Sequence, residues 1–218
     1  MFVFFGGDTQ DAGIGDIRLT RLVLSLKQEH ADRVQLIIGN RDAILRHTTP
    51  DAVSEEDVVE SYRNEVDPKS EADKSPTHDN FMLNYLQQGK LAYVFGSTLF
   101  VHGGISESNI GTVPGKRERV KDVREWVREL NSWAAQELTT NFAADPYSGS
   151  NLRDRKGGGL MDYRVPGGNG GASVIYEHFL SNGNATQQLQ PRVREYLVAS
   201  GITGFLVLCT RVLENLSY

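Results

Sequence analysis

The sequence contains a single cysteine, Cys209, in 218 residues. One thiol excludes an intramolecular disulfide, and with it the small secreted scaffold that depends on a disulfide framework. Long apolar runs are missing too, and none approaches the roughly 18–20 residues that a membrane-spanning helix needs. The opening Met1-Phe2-Val3-Phe4-Phe5 has no basic n-region and is too short for the apolar core of a secretory signal. Nor is there an excess of positive charge: 23 Lys plus Arg face 28 Asp plus Glu, for a net charge of -5. So acidic a chain is a poor candidate for sequence-independent nucleic-acid binding. The expectation is a soluble, cytoplasmic protein with no nucleic-acid and no membrane partner. On that expectation the sequons Asn184-Ala185-Thr186 and Asn215-Leu216-Ser217 are chance matches.

What is present is the composition of a folded domain. Hydrophobic residues make up 39% and charged residues 23%, which rules out bulk disorder, a coiled coil or a collagen-like repeat. The length suits one ordinary domain, or one domain with a large insertion. Phe2 to Phe5 is an apolar run stopped by Gly6-Gly7 and reads as a buried strand. Ile17 to His30 reads as a helix with Asp16 at the N-cap and Leu19, Leu22, Val23 and Leu26 along one face. Val34 to Ile38 is a second strand, closed by Gly39. Strand, helix, strand in this order is the pattern of a βαβ unit in a parallel sheet, where the loops at the carboxyl ends of strands carry ligands. Asp8 and Asn40 fall in those loops.

Further along, Asp51 to Asp79 holds ten acidic and three basic residues and reads as a solvated surface insertion. Phe81 to Gln88 predicts a helix, and Leu91 to Phe95 and Thr98 to His102 predict a hairpin turning at Gly96-Ser97. Lys116 to Leu138 predicts the clearest amphipathic helix, with Val120, Val123, Val127, Leu130 and Leu138 at helical spacing and Trp126 and Trp133 beside them as core. Lys156 to Ser173 holds seven glycines and reads as a loop; it lacks the Lys-Ser/Thr ending of a phosphate-binding loop. Pro191 to Ser200 predicts a last helix capped at Gly201, and Thr203 to Leu208 a last strand.

Three segments follow strands directly: Gly7-Asp8-Thr9-Gln10-Asp11, Gly39-Asn40-Arg41-Asp42 and Val101-His102-Gly103-Gly104-Ile105. A carboxylate, an amide oxygen and an imidazole from separate strand ends can converge on one metal ion. Each residue also has a plain reading. Asp8 can cap a turn, Asn40 can serve a left-handed turn, and His102 can be a satisfied strand-end histidine. His30, His47, His78 and His178 lack any motif context and read as surface or structural.

Taken together and in order, the three segments resemble the calcineurin-like metallophosphoesterase family, close to its serine/threonine-phosphatase-like branch. Gly7 to Asp11 is similar to its Gly-Asp-x-x-Asp motif. Gly39 to Asp42 is similar to its Gly-Asn-His-Asp/Glu motif, with Arg41 where histidine is commonest. Thr98 to Gly104 is similar to its lone-histidine strand. The likeness runs from Met1 to about Val207, as a single domain with the acidic insertion at about 50–80 and the Gly-rich loop at 156–173.

The resemblance implies an α/β fold with a mixed central β-sheet flanked by helices, the metallophosphatase-like sandwich. It implies hydrolysis of phosphomonoesters, protein or small molecule, by a metal-activated water attacking in line. Asp8 would be the metal-bridging carboxylate, with Asn40 and His102 as ligands of the second metal. Asp11 would orient Arg41, and Arg41 would hold a phosphate oxygen as a charge clamp. Arginine cannot serve as a general acid at neutral pH, since its pKa stays above about 12. The cofactors would be divalent Mn, Fe or Zn: two ions in the family, one or none here.

The likeness stops at both ends. The opening Asp-x-His and the closing Gly-His-x-His have no counterpart, and Leu208-Cys209-Thr210-Arg211-Val212 starts an aberrant tail at 208–218. The expectation is a fold incomplete at both ends, in which the two-metal clamp does not form, the second site alone is left to hold an ion, and Phe2 to Phe5 is an exposed edge. The competing function is a catalytically dead pseudophosphatase, or a fragment, acting as a binding scaffold. A nucleotide-binding module is less supported without a phosphate loop.

Overall fold

A computed structural model describes residues 1–9, 16–43, 81–140, 158–164, 173–176 and 189–208. The acidic insertion, Asp11, most of the Gly-rich segment and the tail from Cys209 onward lie outside these residues. The chain is mixed α/β. Its elements in order are β1 (Val3–Phe5), α1 (Asp16–Glu29), β2 (Val34–Leu36), α2 (Phe81–Gln88), β3 (Ala92–Phe95), β4 (Thr98–Val101), α3 (Val123–Thr140), α4 (Gly158–Tyr163), α5 (Pro191–Ala199) and β5 (Gly204–Val207). None of the described helices is long and apolar enough to cross a membrane.

The described strands make two small sheets instead of one central sheet. In the first, β1 pairs parallel with β2, Phe4 opposite Gln35, as the strand–helix–strand pattern predicts. In the second, β3 and β4 form an antiparallel hairpin and β5 joins β4 in parallel, giving the order β3-β4-β5. An isolated parallel bridge from Ile37 to Lys90 extends the line of β2 beyond its last residue. Aromatic rings bind the sheets to one another. Phe4 of β1 stacks on Phe100 of β4 with centroids 4.2 Å apart, and also meets Tyr93 and Phe95 of β3.

Sequence periodicity places the helices well and their faces less well. Among the described side chains of α1, Thr20, Val23 and Leu24 are buried, whereas Leu19, Leu22 and Leu26 are exposed. The two stripes are neighbours on a 3.6-residue helix, so spacing alone does not choose between them. Packing does: Val23 and Leu24 face β2 and Tyr85, and Lys27 Nζ donates to Ala31 O at 2.6 Å and Val34 O at 2.8 Å beside them. Val23 and Leu24 then pack with Val34, Leu36 and Tyr85 in a small core, with Phe5 against it.

Three further expectations need correction. β1 is not a buried strand: Phe2 and Val3 are exposed and Phe4 and Phe5 half-buried, because β1 has β2 on one side and no described strand on the other. The long helix begins at Val123, not Lys116. Asp122 sits at its N-cap, where Oδ1 accepts the Glu125 N–H at 2.9 Å, and the chain before it is turn and bend. The Gly-rich segment is not loop throughout, since Gly158–Tyr163 is helical. Gly159 faces the Glu137 carboxylate of α3, which a Cβ there would approach to 2.7 Å.

The main core fills the space between the second sheet and α3 to α5. Trp126 is fully buried, donates from Nε1 to Thr112 O at 2.7 Å, and meets Tyr196 edge-on. Asn131 of α3 joins that helix to the sheet, accepting from Leu91 N at 2.8 Å and donating to Ala92 O at 2.9 Å. The expected core role of the tryptophan stripe holds here, Trp133 packing against the same cluster. The ladders leave the carboxyl ends of β1, β2 and β4 close together, and the three motif segments start there.

Candidate functional site

The loop after β1 brings Asp8 out in a left-handed conformation, φ +52°. Such a backbone costs a non-glycine residue roughly 1–2 kcal/mol, though aspartate tolerates it better than most. Asp42 offsets that cost. Its Oδ2 accepts the Asp8 N–H at 2.8 Å and the Gly39 N–H at 2.7 Å. Its Oδ1 accepts the Thr9 N–H at 2.8 Å and the Thr9 hydroxyl at 2.7 Å. Both Asp42 and Thr9 are buried. One carboxylate thus ties the β1 loop to the β2 loop with three hydrogen bonds, and a fourth, from Gly39, holds it within its own loop.

Gly39 is the point of closest approach between these loops. A Cβ there would fall on Asp8 Oδ1 and lie 2.9 Å from His102 Cε1. Only a residue without a side chain lets the Asp8 carboxylate and the His102 ring close over the β2 loop.

His102 arrives from the end of β4 and is completely buried. Its Nδ1 lies 2.7 Å from Gly6 O. A carbonyl carries no proton, so Nδ1 is the donor and Nε2 is directed the other way. There Nε2 stands 3.3 Å from Asp8 Oδ2. The second oxygen, Asp8 Oδ1, accepts the Arg41 N–H at 3.0 Å. Burial pushes the Asp8 carboxyl up. The hydrogen bond and charge of His102, with the Arg41 amide and charge, outweigh it and hold the group below the ordinary carboxylate value. Burial pushes Asp42 up to about 6; its bonds from Thr9 and Gly39 oppose the rise and the neighbouring Asp8 charge adds to it.

The loop that follows His102 is braced from below. Gly103 N and Gly104 N both donate to Val174 O, at 2.8 and 3.1 Å. A Cβ on Gly103 would lie 2.7 Å from the Ile175 carbonyl carbon, so the 173–176 turn fits only against glycine. Tyr163 holds that turn by accepting the Val174 N–H at 3.0 Å, and Asn109 bridges Gly104 O and Ser173 O. Burial pushes the Tyr163 hydroxyl far up, so it stays neutral.

Of the residues expected at the site, Asp8 and His102 are brought into contact, and Arg41 reaches the same carboxylate through its backbone. Asn40 lies half-buried in the turn between Gly39 and Arg41. Asp11 lies outside the described residues, and its pairing with Arg41 with it. Two residues with no expected role, Thr9 and Asp42, turn out to organise the loops. Asp42 closes the Gly39–Asp42 motif, but the amides that give it its role come from a loop more than 30 residues away and leave no local signal.

Can this arrangement hold a divalent ion? Among the described residues no group of three or more His, Cys, Asp or Glu side chains could do so alone. The donor chemistry of the Asp8–His102 pair nevertheless fits one. An imidazole nitrogen and a carboxylate oxygen 3.3 Å apart have the spacing of two ligands on one ion with bonds of about 2.0–2.2 Å. An Nδ1–H bound to a backbone carbonyl is how ligand histidines are commonly oriented. Asn40 supplies the amide nearest in sequence for a third position. Set against known protein-family models, curated proteins and solved structures, the chain matches none.

Proposed function

We propose that this chain is a metal-dependent phosphoesterase of the calcineurin-like type, acting on phosphomonoesters. The observation that carries the reading is the His102 Nε2 to Asp8 Oδ2 approach at 3.3 Å, with Nδ1 committed to Gly6 O. Asp8, His102 and Asn40 would hold the ion. When bound, it would supply positive charge for a phosphoryl oxygen and lower the pKa of a water.

The chain's own residues account for the rest. Gly6 O fixes the tautomer of His102, so that Nε2 faces the ligand position. Arg41, whose N–H steadies Asp8, would place its guanidinium on a phosphate oxygen, compensating negative charge as the ester bond breaks. Arg41 cannot donate a proton at neutral pH, so esters with good leaving groups would be the preferred substrates. The sandwich architecture of that family is part of this proposal; two sheets meeting through Phe4 and Phe100 are compatible with it.

Hydrolysis of p-nitrophenyl phosphate with added Mn²⁺ tests the reading, with Asp8→Asn and His102→Ala as comparisons. Turnover that falls at least about 100-fold in both variants is expected, the scale of losing a group that acts on transition-state charge. Equal background rates in folded wild type and Asp8→Asn would overturn it in favour of a non-catalytic scaffold.

A further inference from the structure

We infer that Asp42 is a positioning residue, acting through Asp8. The proposal rests on the phosphoesterase reading for its consequence, and on geometry alone for its content. Asp8 stands in a left-handed conformation at the end of β1. Its carboxylate faces His102 because its amide is turned the opposite way, onto Asp42 Oδ2 at 2.8 Å. The next amide, of Thr9, goes to Asp42 Oδ1 at the same distance. Two successive amides held by one carboxylate define the rotation of the Asp8 residue. A third, from Gly39, fixes that carboxylate against the β2 loop from which Arg41 N reaches Asp8 Oδ1.

Thr9 completes the arrangement. Its hydroxyl donates to Asp42 Oδ1 at 2.7 Å, so each Asp42 oxygen accepts two hydrogen bonds. An amide side chain cannot reproduce this set. Asparagine offers one acceptor oxygen, and its NH₂ would confront two N–H donors. Asp42→Asn should therefore release Asp8 from its rotation while keeping nearly the same volume in the buried position. Thr9→Val removes one donor only and should release it in part.

Two readouts separate positioning from folding. The first is the imidazole ¹⁵N resonance of His102 in the chelator-treated protein, which reports the Asp8 contact directly. The second is Mn²⁺ affinity by titration calorimetry, with far-UV circular dichroism to verify the fold. Asp42→Asn should move the His102 Nε2 signal in the direction that Asp8→Asn moves it. It should also weaken Mn²⁺ binding about 10- to 100-fold, the usual cost of removing a partner that orients a ligand. Thr9→Val should fall between Asp42→Asn and wild type, and it carries the test if Asp42→Asn does not fold. An unchanged His102 signal in a folded variant would overturn the proposal. A wild type that binds no Mn²⁺ would sink the phosphoesterase reading alone, since the His102 signal still decides whether Asp42 positions Asp8.

Discussion

The rings of Phe4 and Phe100 lie face to face, with centroids 4.2 Å apart and planes 5° from parallel. Phe4 is the middle residue of β1 and Phe100 the third of β4, so this stack sets the distance between the two sheets two residues before Gly6 and His102 meet. Phe4→Ala should lower stability by about 1–2 kcal/mol, combining a half-buried ring with the loss of ring–ring contacts. Urea unfolding would measure it. The same variant should weaken the Gly6–His102 contact, seen as a shift of the His102 ring resonances.

Gly39→Ala tests the closeness of the loops. The added methyl has no room, meeting Asp8 N at 2.6 Å and His102 Cε1 at 2.9 Å. We expect a destabilisation of about 1–3 kcal/mol from overpacking, together with a loss of Mn²⁺ binding larger than that modest stability change explains. Normal binding and stability would mean that the loops stand further apart than described.

Stability should depend on pH through Asp42. Its folded carboxyl sits at about 6, above an unfolded value of 3.8, chiefly because it is buried. The native state then keeps its proton to higher pH than the unfolded chain does. Taken alone, the Asp42 contribution is therefore largest below the unfolded value and declines as pH rises from about 4 to about 6. Asp8 acts in the opposite sense and in a lower window. Its folded value is depressed, so its contribution is present above the ordinary carboxylate value and is lost as pH falls through the folded one. Urea midpoints in chelator between pH 4 and pH 7 should therefore fall in wild type. In Asp42→Asn they should stay level.

The face of α1 can be checked with two leucines. Leu22 is exposed and Leu24 is 6% exposed. Leu22→Ala should change stability by less than about 0.5 kcal/mol, and Leu24→Ala should cost about 2–4 kcal/mol. The reverse order of effects would restore the stripe that periodicity alone suggests.

That contrast shows what could and could not be read beforehand. Strand positions were legible because apolar runs ended at glycines, as at Gly6 and Gly39, and α2 was legible to the residue. Which leucines of α1 face inward was not, because the choice is made by packing against Val34, Leu36 and Tyr85, all outside the helix. The start of α3 was hidden for a similar reason: Val120 continues the apolar spacing, but Asp122 stops the helix from extending back. At the site, Asp8, Arg41 and His102 stood out from their setting after strands. Asp42 stood out as the last residue of its motif, but its role did not, since that comes from amides contributed by two loops and no single stretch of sequence displays that convergence.

The Asp42 tie has a signature in time as well as in space. The amides of Asp8, Thr9 and Gly39 belong to no strand ladder, yet each is bonded to the same carboxylate. Their deuterium uptake should accordingly be correlated, the three protons becoming exchangeable together in one opening event instead of fraying one by one as loop amides ordinarily do. Two loops far apart in the chain would then behave as one cooperative unit, with an opening rate governed by a single side chain.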